Sequence, residues 1–213
     1  SLKEVNRPAS ASSISPTAFE NCGNLQSFHV ASGHETYCDV DGVLFWSGKV
    51  LLAAVPGGRT GSYTVPSSVK TIGDCAFYAS KLTEVVLPSG LKTIGDECFR
   101  YSTVSQLTLP AGLVNLGVGA FEGCKELETV AIPGSVKTVS DSAFWGSGLK
   151  NVTLEDGITT IGKEAFLSCG LTKVDIPSSV TSIGEHALGY EANRMDYDKV
   201  AGFTNFGVPG SAA

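Results

Sequence analysis

A proline recurs along most of this chain at a nearly constant interval. The steps between successive prolines are 22, 22, 23 and 44 residues, and Glu155 occupies the position skipped in the last step. The prolines are Pro66, Pro88, Pro110, Pro133 and Pro177. A period in this range is typical of a solenoid, in which each repeat is one structural unit stacked on the next. The period therefore constrains the fold more than any single motif does.

Apolar columns keep the same register as the prolines. An aliphatic residue follows each proline position by six residues, and Phe or Leu follows five residues later. The two columns are Ile72, Ile94, Leu116, Val139, Ile161, Ile183 and Phe77, Phe99, Phe121, Phe144, Phe166, Leu188. A third pattern, L-x-x-V-x-L, precedes the prolines and starts at Leu82, Val104, Leu127, Leu149 and Leu171. This spacing is that of a leucine-rich-repeat strand.

One repeat is too small to fold alone. About six buried apolar side chains contribute roughly 12 kcal/mol, at ~2 kcal/mol each. Ordering the backbone opposes this by ~1–2 kcal/mol for every residue of the repeat. The pattern thus predicts a β-rich leucine-rich-repeat solenoid, right-handed, with one concave parallel sheet and short second strands or helical turns on the outer side. Its register extends to the N-terminus through Val5 and Phe28.

One repeat carries an insertion. Ala31 takes the proline position and lies 35 residues before Pro66, which is 13 more than a 22-residue repeat (35 − 22). The apolar runs 43–45 and 50–55 flank the segment W-S-G-K, and a Pro-Gly-Gly turn follows. These signals predict a β-hairpin within residues 32–62. We expect this hairpin to protrude from the solenoid, with Trp46 at its tip.

The repeated phrase I-P-x-S-V-x-x-I-G-x-x-A-F-x-x-C-x-x-L-x-x-V closely resembles the BspA-like leucine-rich repeats of bacterial surface proteins. The D-G-V-L-F hairpin and the S-Y-T-V-P that follows resemble a recurring insertion of that family. The C-terminal segment resembles the end of such arrays in gut-type Gram-positive bacteria. The resemblance implies one domain over residues 1–213, an irregular and truncated cap over 189–213, and an extracellular or cell-surface location. The chain itself shows no signal peptide.

Charge and hydropathy exclude two classes of partner. The chain has 21 acidic and 15 basic residues, a net charge of −6, and no run of like charge. Nucleic-acid binding requires a basic surface, so we expect no nucleic-acid partner. No apolar run approaches the roughly 20 residues that span a bilayer, so we expect no membrane insertion of this chain.

The candidate catalytic motifs are part of the repeated pattern. Ser67 and Lys70 have the S-x-x-K spacing of some serine nucleophiles, but the same positions one repeat later hold Ser89 and Lys92. A catalytic nucleophile occupies one place in a chain, so this spacing belongs to the architecture. The three histidines are scattered, and C-x-x-C is absent. We expect no catalytic residues, no metal and no cofactor.

The six cysteines sort by position in the repeat. Three of them follow the Phe column by three residues, and Cys98 occupies a position otherwise held by alanine; the three are Cys22, Cys124 and Cys169. These four are expected to be buried as small apolar residues. Cys75 is expected to face outward, and Cys38 lies in the insertion. We expect free thiols, and a Cys22–Cys38 bridge is the one pairing left open.

Outward positions of the predicted strands form the candidate binding surface. Side chains alternate across a strand, so the x positions of L-x-x-V-x-L align in two rows on the concave sheet. The candidate residues are Glu84, Gln106, Thr129, Asn151 and Lys173 in one row, Thr108 and Asp175 in the other, and Trp46 on the hairpin. Repeat proteins commonly bind partners on such a face. A solvated, inert sheet is an equally weighted alternative.

The family resemblance implies a non-enzymatic, extracellular protein-interaction or adhesion domain with an unknown protein or glycoprotein ligand. A structural spacer that carries other domains of a larger surface protein is the first alternative. An enzyme ranks a distant third, because a fold does not fix an activity and the sequence supplies no convergent titratable groups.

Overall fold

The chain forms a β-solenoid of about eight turns with almost no helix, as seen in a computed structural model that describes residues 2–7, 13–46 and 48–189. The predicted leucine-rich-repeat fold is therefore confirmed. The single helical element among these residues is a 3₁₀ helix, Pro16–Phe19. The predicted cap over 189–213 lies outside the described residues except for Gly189.

Sixteen short strands build the described turns. Their bounds are β1 Glu4–Arg7, β2 Ser27–Val30, β3 Tyr37–Val40, β4 Val43–Trp46, β5 Leu51–Ala54, β6 Thr60–Thr64, β7 Thr71–Ile72, β8 Lys81–Val86, β9 Thr93–Ile94, β10 Gln106–Leu107, β11 Asn115–Leu116, β12 Thr129–Ile132, β13 Thr138–Val139, β14 Asn151–Leu154, β15 Thr160–Ile161 and β16 Ser182–Ile183. The strands that precede the proline position of each repeat form the first sheet. They are grouped, all parallel, as β1-β2, β6-β8-β10 and β12-β14. Strands after it form the second sheet, in the orders β11-β9-β7-β5-β4-β3 and β13-β15-β16.

The third side of each turn is a tight bend that contains the Phe column. Alternate backbone N–H groups donate to the next turn, for example Cys75 to Asp96 at 3.0 Å and Phe77 to Cys98 at 2.8 Å. The residue at the Cys75 position has a positive φ in every turn from Cys75 to His186, between 50° and 60°. Non-glycine residues adopt this conformation only when their surroundings enforce it, and here the hydrogen bonds between turns do so.

Stacked phenylalanines form the centre of the core. The rings of Phe77, Phe99, Phe121, Phe144 and Phe166 are 4.6–5.4 Å apart between neighbours, with interplanar angles of 4–12°. All five are less than 2% exposed. This ring spacing matches the ~4.8 Å separation that parallel strands impose on successive turns. The predicted apolar columns are thus the buried interior.

Both sheets are interrupted at one turn. No strand ladder joins β10 to β12 or β11 to β13 in the described turns. Two residues lie between Cys124 and Leu127, whereas one lies between Ser102 and Val104, so the extra residue of the 23-residue repeat lies at this corner. The third side continues across the interruption, with Phe121 N–H donating to Ala143 at 2.7 Å. Together with the gap between β2 and β6, this break divides the predicted single concave sheet into three segments.

The terminal repeat also departs from the predicted pattern. Residues 171–176, which carry the last L-x-x-V-x-I motif, are not a strand. Leu171, Val174 and Ile176 are nevertheless half-buried and pack against the core. The apolar pattern is thus satisfied here without sheet hydrogen bonds.

The insertion forms the predicted hairpin, but it does not protrude. Strands β4 and β5 pair antiparallel, and β5 pairs parallel with β7, so the hairpin continues the second sheet. Val43 and Phe45 join the main core, while Leu44 joins a smaller cluster with Leu25 and Phe28 of the N-terminal turns. A run of consecutive apolar residues is what a strand buried on both faces requires. The expectation of a protruding hairpin is corrected for that reason.

Candidate functional site

The outward side of the first sheet, which we call the front face, carries most of the candidate residues. Backbone register aligns Ser62, Glu84 and Gln106 across β6, β8 and β10. It likewise aligns Thr129 with Asn151 across β12 and β14. Glu84 is half-buried and the others are exposed. The predicted row therefore exists within each sheet segment.

The interruption of the first sheet divides this row. Glu84, Gln106 and Thr108 lie on one segment, whereas Thr129 and Asn151 lie on the next. Lys173 and Asp175 lie in residues 171–176 and are both exposed, and Lys173 Nζ is 2.9 Å from Asp175 Oδ2. The structure thus presents three adjacent groups instead of one continuous row.

An open depression of about 400 Å³ lies over the first of these groups. Its lining comprises residues 84–87 and 106–108 with Ser89 and Pro110. Three of the candidate residues, Glu84, Gln106 and Thr108, contribute to it. Polar side chains at its edges and the apolar Val86 beside them form a mixed surface that suits a protein segment.

Charge on the front face is largely balanced within the face itself. Lys150 pairs with Glu128, and Lys173 pairs with Asp175. Among the described residues no cation forms an ion pair with Glu84. Its carboxylate is therefore a charge on this face without an ion-pair partner among the described residues.

Trp46 does not belong to the front face. It lies on β4 of the second sheet, where its ring is 46% exposed and contacts Tyr37 with 5.2 Å between ring centroids. It borders an apolar pocket of about 280 Å³ that is also lined by Phe19, Leu44 and Ala53. The structure therefore separates Trp46 from the other seven candidates.

One group of potential metal ligands occurs among the described residues. The ligand atoms of Glu20, Cys75 and Glu97 lie within 4.8 Å of one another, and Cys75 Sγ is 3.7 Å from Glu20 Oε1. Burial, and then the charges of Glu20 and Glu97, raise the pKa of the Cys75 thiol to about 12. Glu97 also pairs with Arg100 at 2.9 Å. A thiol with a raised pKa is a poor nucleophile, and Glu97, one of the two carboxylates, is already paired with Arg100.

This group combines neighbours along the repeat with a residue from the N-terminal turn. Cys75 and Glu97 occupy the same position one repeat apart, whereas Glu20 precedes the insertion. Cys75, which was expected to face outward, is half-buried against Glu20. Sequence reasoning had no signal for the contact.

The remaining cysteines are structural. All six are free, including Cys22 and Cys38. Cys98 and Cys124 are fully buried, which raises the pKa of both thiols, and Cys124 Sγ donates to the Phe99 carbonyl at 3.0 Å. Cys169 repeats this bond to Phe144 at 3.1 Å. Burial of Cys98 and Cys124 agrees with the prediction, whereas Cys22 and Cys169 are half-buried.

A serine–histidine contact on β2 does not form a triad. Ser27 Oγ lies 2.9 Å from His29 Nε2, two residues along one strand. A triad requires an acidic group that orients the other ring nitrogen. In residues 2–7, 13–46 and 48–189 no carboxylate bonds His29 Nδ1. This contact therefore lacks the geometry of a hydrolase.

No helix among the described residues is both long and apolar enough to cross a bilayer.

A family model for the BspA type leucine-rich repeat region matches residues 1–39 and 70–194 in six copies. No curated protein matches the chain.

Solved bacterial structures share the fold. A leucine-rich repeat protein from Eubacterium ventriosum is 23% identical with a TM-score of 0.67, over 98% of this chain and 61% of that one. A leucine rich cell surface protein from Faecalibacterium prausnitzii is 21% identical with a TM-score of 0.72, over 96% and 52%. The pneumococcal vaccine antigen PcpA is 19% identical with a TM-score of 0.53, over 88% and 52%. This chain thus spans between about half and 61% of their lengths.

Proposed function

This chain belongs to the BspA-type leucine-rich repeat family, and from that premise we propose that it is a non-enzymatic, extracellular interaction domain of a bacterial surface or secreted protein. Its ligand is a protein or glycoprotein, and this ligand binds to the front face. Adhesion to host or neighbouring-cell proteins is the role that such a domain serves.

Family membership supports the general class of function. Leucine-rich repeats typically bind proteins and are typically not enzymes. The Faecalibacterium prausnitzii structure is described as a cell surface protein, which supports the proposed location. A fold alone does not select a ligand, so the specific site is argued from its residues.

The aligned front-face row is the observation that carries the proposal. Parallel register places Ser62, Glu84 and Gln106 at ~4.8 Å intervals, the spacing of neighbouring strands. The depression of about 400 Å³ beside this row gives a partner segment a concave surface to contact.

Binding to an array of host matrix proteins, mucins and bacterial surface proteins tests the proposal. Glu84→Lys reverses a front-face charge that has no ion-pair partner among the described residues. Asn151→Lys adds a charge to the β12-β14 segment of the first sheet. Glu126→Lys is the matched control, because Glu126 is exposed at the corner before β12 and is not one of the candidate residues. Trp46→Ala is tested separately, since Trp46 lies on the second sheet.

Saturable binding that Glu84→Lys or Asn151→Lys abolishes, and Glu126→Lys preserves, is the expected result. Equal loss in the Glu126→Lys control would mean that net charge alone drives the binding. Absence of binding above background at tens of micromolar would favour the spacer function instead.

A further inference from the structure

Two hollows on the second sheet join into one trough. The pocket of about 280 Å³ beside Trp46 and a second hollow of about 450 Å³ share Asp74, Thr93 and Gly95. Together they run from β5 across β7, β9 and β11 to β13. The three paired steps from β5 to β11 at ~4.8 Å span about 14 Å, the length of roughly four extended residues, and the unpaired step to β13 extends the trough further.

Backbone and short polar side chains form the floor of this trough. Thr71, Thr93, Asn115 and Thr138 supply hydroxyl and amide groups along it. The intervening glycines cannot be replaced by larger residues without a clash. A Cβ on Gly95 would lie 2.3 Å from Asp74 Oδ1, and a Cβ on Gly117 would lie 2.4 Å from the Gly95 carbonyl carbon. The trough is consequently open along its length.

One end of the trough is apolar. Ile14 and Phe19 of the N-terminal turn face Leu44, Trp46, Leu51 and Ala53 of the insertion there. Its volume of about 280 Å³ lies below the ~300–1,000 Å³ of pockets for drug-sized ligands. A hollow of this size fits one large apolar side chain.

The middle of the trough is acidic. Asp74 and Asp96 are exposed, and each uses one oxygen to accept a backbone N–H from the next turn, at 2.9 Å from Asp96 and 2.8 Å from Val118. Their second oxygens have no hydrogen-bond donor among the described residues. The nearby lysines form no ion pair with Asp74 or Asp96. Lys92 Nζ donates to the Gly112 carbonyl, and Lys137 Nζ donates to the carbonyls of Gly134 and Gly157, at 3.0–3.1 Å.

We propose that this trough is a second binding site, separate from the front face, for an extended peptide segment of a partner protein. The segment places one apolar or aromatic side chain in the pocket beside Trp46 and one or two Lys or Arg side chains against Asp74 and Asp96. Charge complementarity selects this occupant, since two carboxylates with spare acceptor oxygens adjoin an apolar hollow. Hydroxyl and amide groups of the floor bond the peptide backbone.

Selection of a phage-displayed random dodecapeptide library on the whole chain tests this site. The enriched consensus is then synthesised, and its affinity is measured by calorimetry. We expect peptides with an aromatic or aliphatic residue followed within three positions by Lys or Arg. The double variant Asp74→Asn, Asp96→Asn should weaken binding about tenfold, because exposed ion pairs of this kind each contribute a few-fold. Asparagine keeps an oxygen that accepts the backbone N–H, so the fold is preserved.

Asp141→Asn is the matched control. Asp141 accepts the Lys163 N–H at 2.8 Å in the same column, but it does not line the trough. Its substitution should leave the affinity unchanged, as should Glu84→Lys on the front face. Ala53→Leu, which fills the apolar end, should also weaken binding. Enrichment of acidic or purely apolar peptides, no enrichment at all, or an unchanged affinity in the double aspartate variant would overturn the proposal. Since Glu84→Lys tests the front face alone, failure of one site is distinguishable from failure of the other.

Discussion

Replacing Phe121 by leucine tests whether the stacked rings couple the turns. Phe121 is fully buried and stacks on Phe99 at 5.0 Å and on Phe144 at 5.3 Å. Leucine retains most of the apolar volume but removes both aromatic pairs. At ~0.5–1.5 kcal/mol a pair, the expected loss in free energy of unfolding is about 1–3 kcal/mol.

Phe166→Leu provides the comparison within the stack. Phe166 has one stacked neighbour among the described residues, Phe144 at 5.4 Å, so its loss should be smaller by about one pair, or ~0.5–1.5 kcal/mol. Leu113→Met at a fully buried aliphatic position reports the effect of repacking without an aromatic ring. Volume-conserving changes of that kind usually cost less than about 1.5 kcal/mol.

Urea unfolding followed by circular dichroism and by tryptophan fluorescence measures all three variants. Coincident transitions and an unchanged slope with urea are required before the free energies are compared. Equal losses for Phe121→Leu and Phe166→Leu, or a loss for Phe121→Leu no greater than that for Leu113→Met, would refute ring stacking as a source of coupling between turns.

Four further predictions concern Gly117, Cys75 and Arg100. Gly117→Ala should destabilise the chain by more than about 2 kcal/mol, since its Cβ would lie 2.4 Å from Gly95 backbone atoms, whereas Gly23→Ala, with its nearest neighbour 3.8 Å away, should change thermal stability little. Cys75 should react slowly with iodoacetamide at neutral pH, because its raised pKa of about 12 keeps the thiol protonated, and Glu20→Gln should speed alkylation as followed by mass spectrometry. The pKa of Cys75 is higher in the folded state than in the unfolded state, so its contribution to stability should be complete below about pH 9 and should decline between pH 9 and 12. Melting temperatures measured as a function of pH should show this decline, and Cys75→Ser should remove it. Arg100→Met should lower stability by about 2 kcal/mol, because it leaves Glu122, which is 9% exposed and 2.7 Å from Arg100, without its cation; the double variant with Glu122→Gln should recover part of the loss.

The repeat made most of the core predictable from the sequence. Residues one period apart occupy the same position on successive turns, so the columns containing Ile72 and Phe77 could only stack on themselves. Alternation within a strand likewise placed Glu84 and Gln106 on one face and Val85 in the interior. The buried columns and this alternation are confirmed, whereas residues 171–176 form no strand and Cys75, expected to face outward, is half-buried.

Features that depend on distant or irregular segments could not be predicted from the repeat. The hairpin was identified by its turn residues, but its docking onto β7 depends on how the N-terminal turns cover Leu44. The break in both sheets lies at the 23-residue repeat, and no pattern of apolar residues reveals it. A signal for the acidic trough was present, since I-G-D occurs at both Asp74 and Asp96, but only the fold joins those carboxylates to the pocket beside Trp46.

By itself the sequence determined the solenoid, its period, the buried columns and the outward rows, because each of these follows from interactions between equivalent positions of adjacent repeats. The tertiary structure decided where the insertion packs, where the sheets break, and which side chains from different turns meet in the trough and around Cys75. Those contacts depend on the path of the backbone in three dimensions, because they bring residues of the N-terminal turn and the insertion, such as Glu20 and Trp46, against the regular repeats.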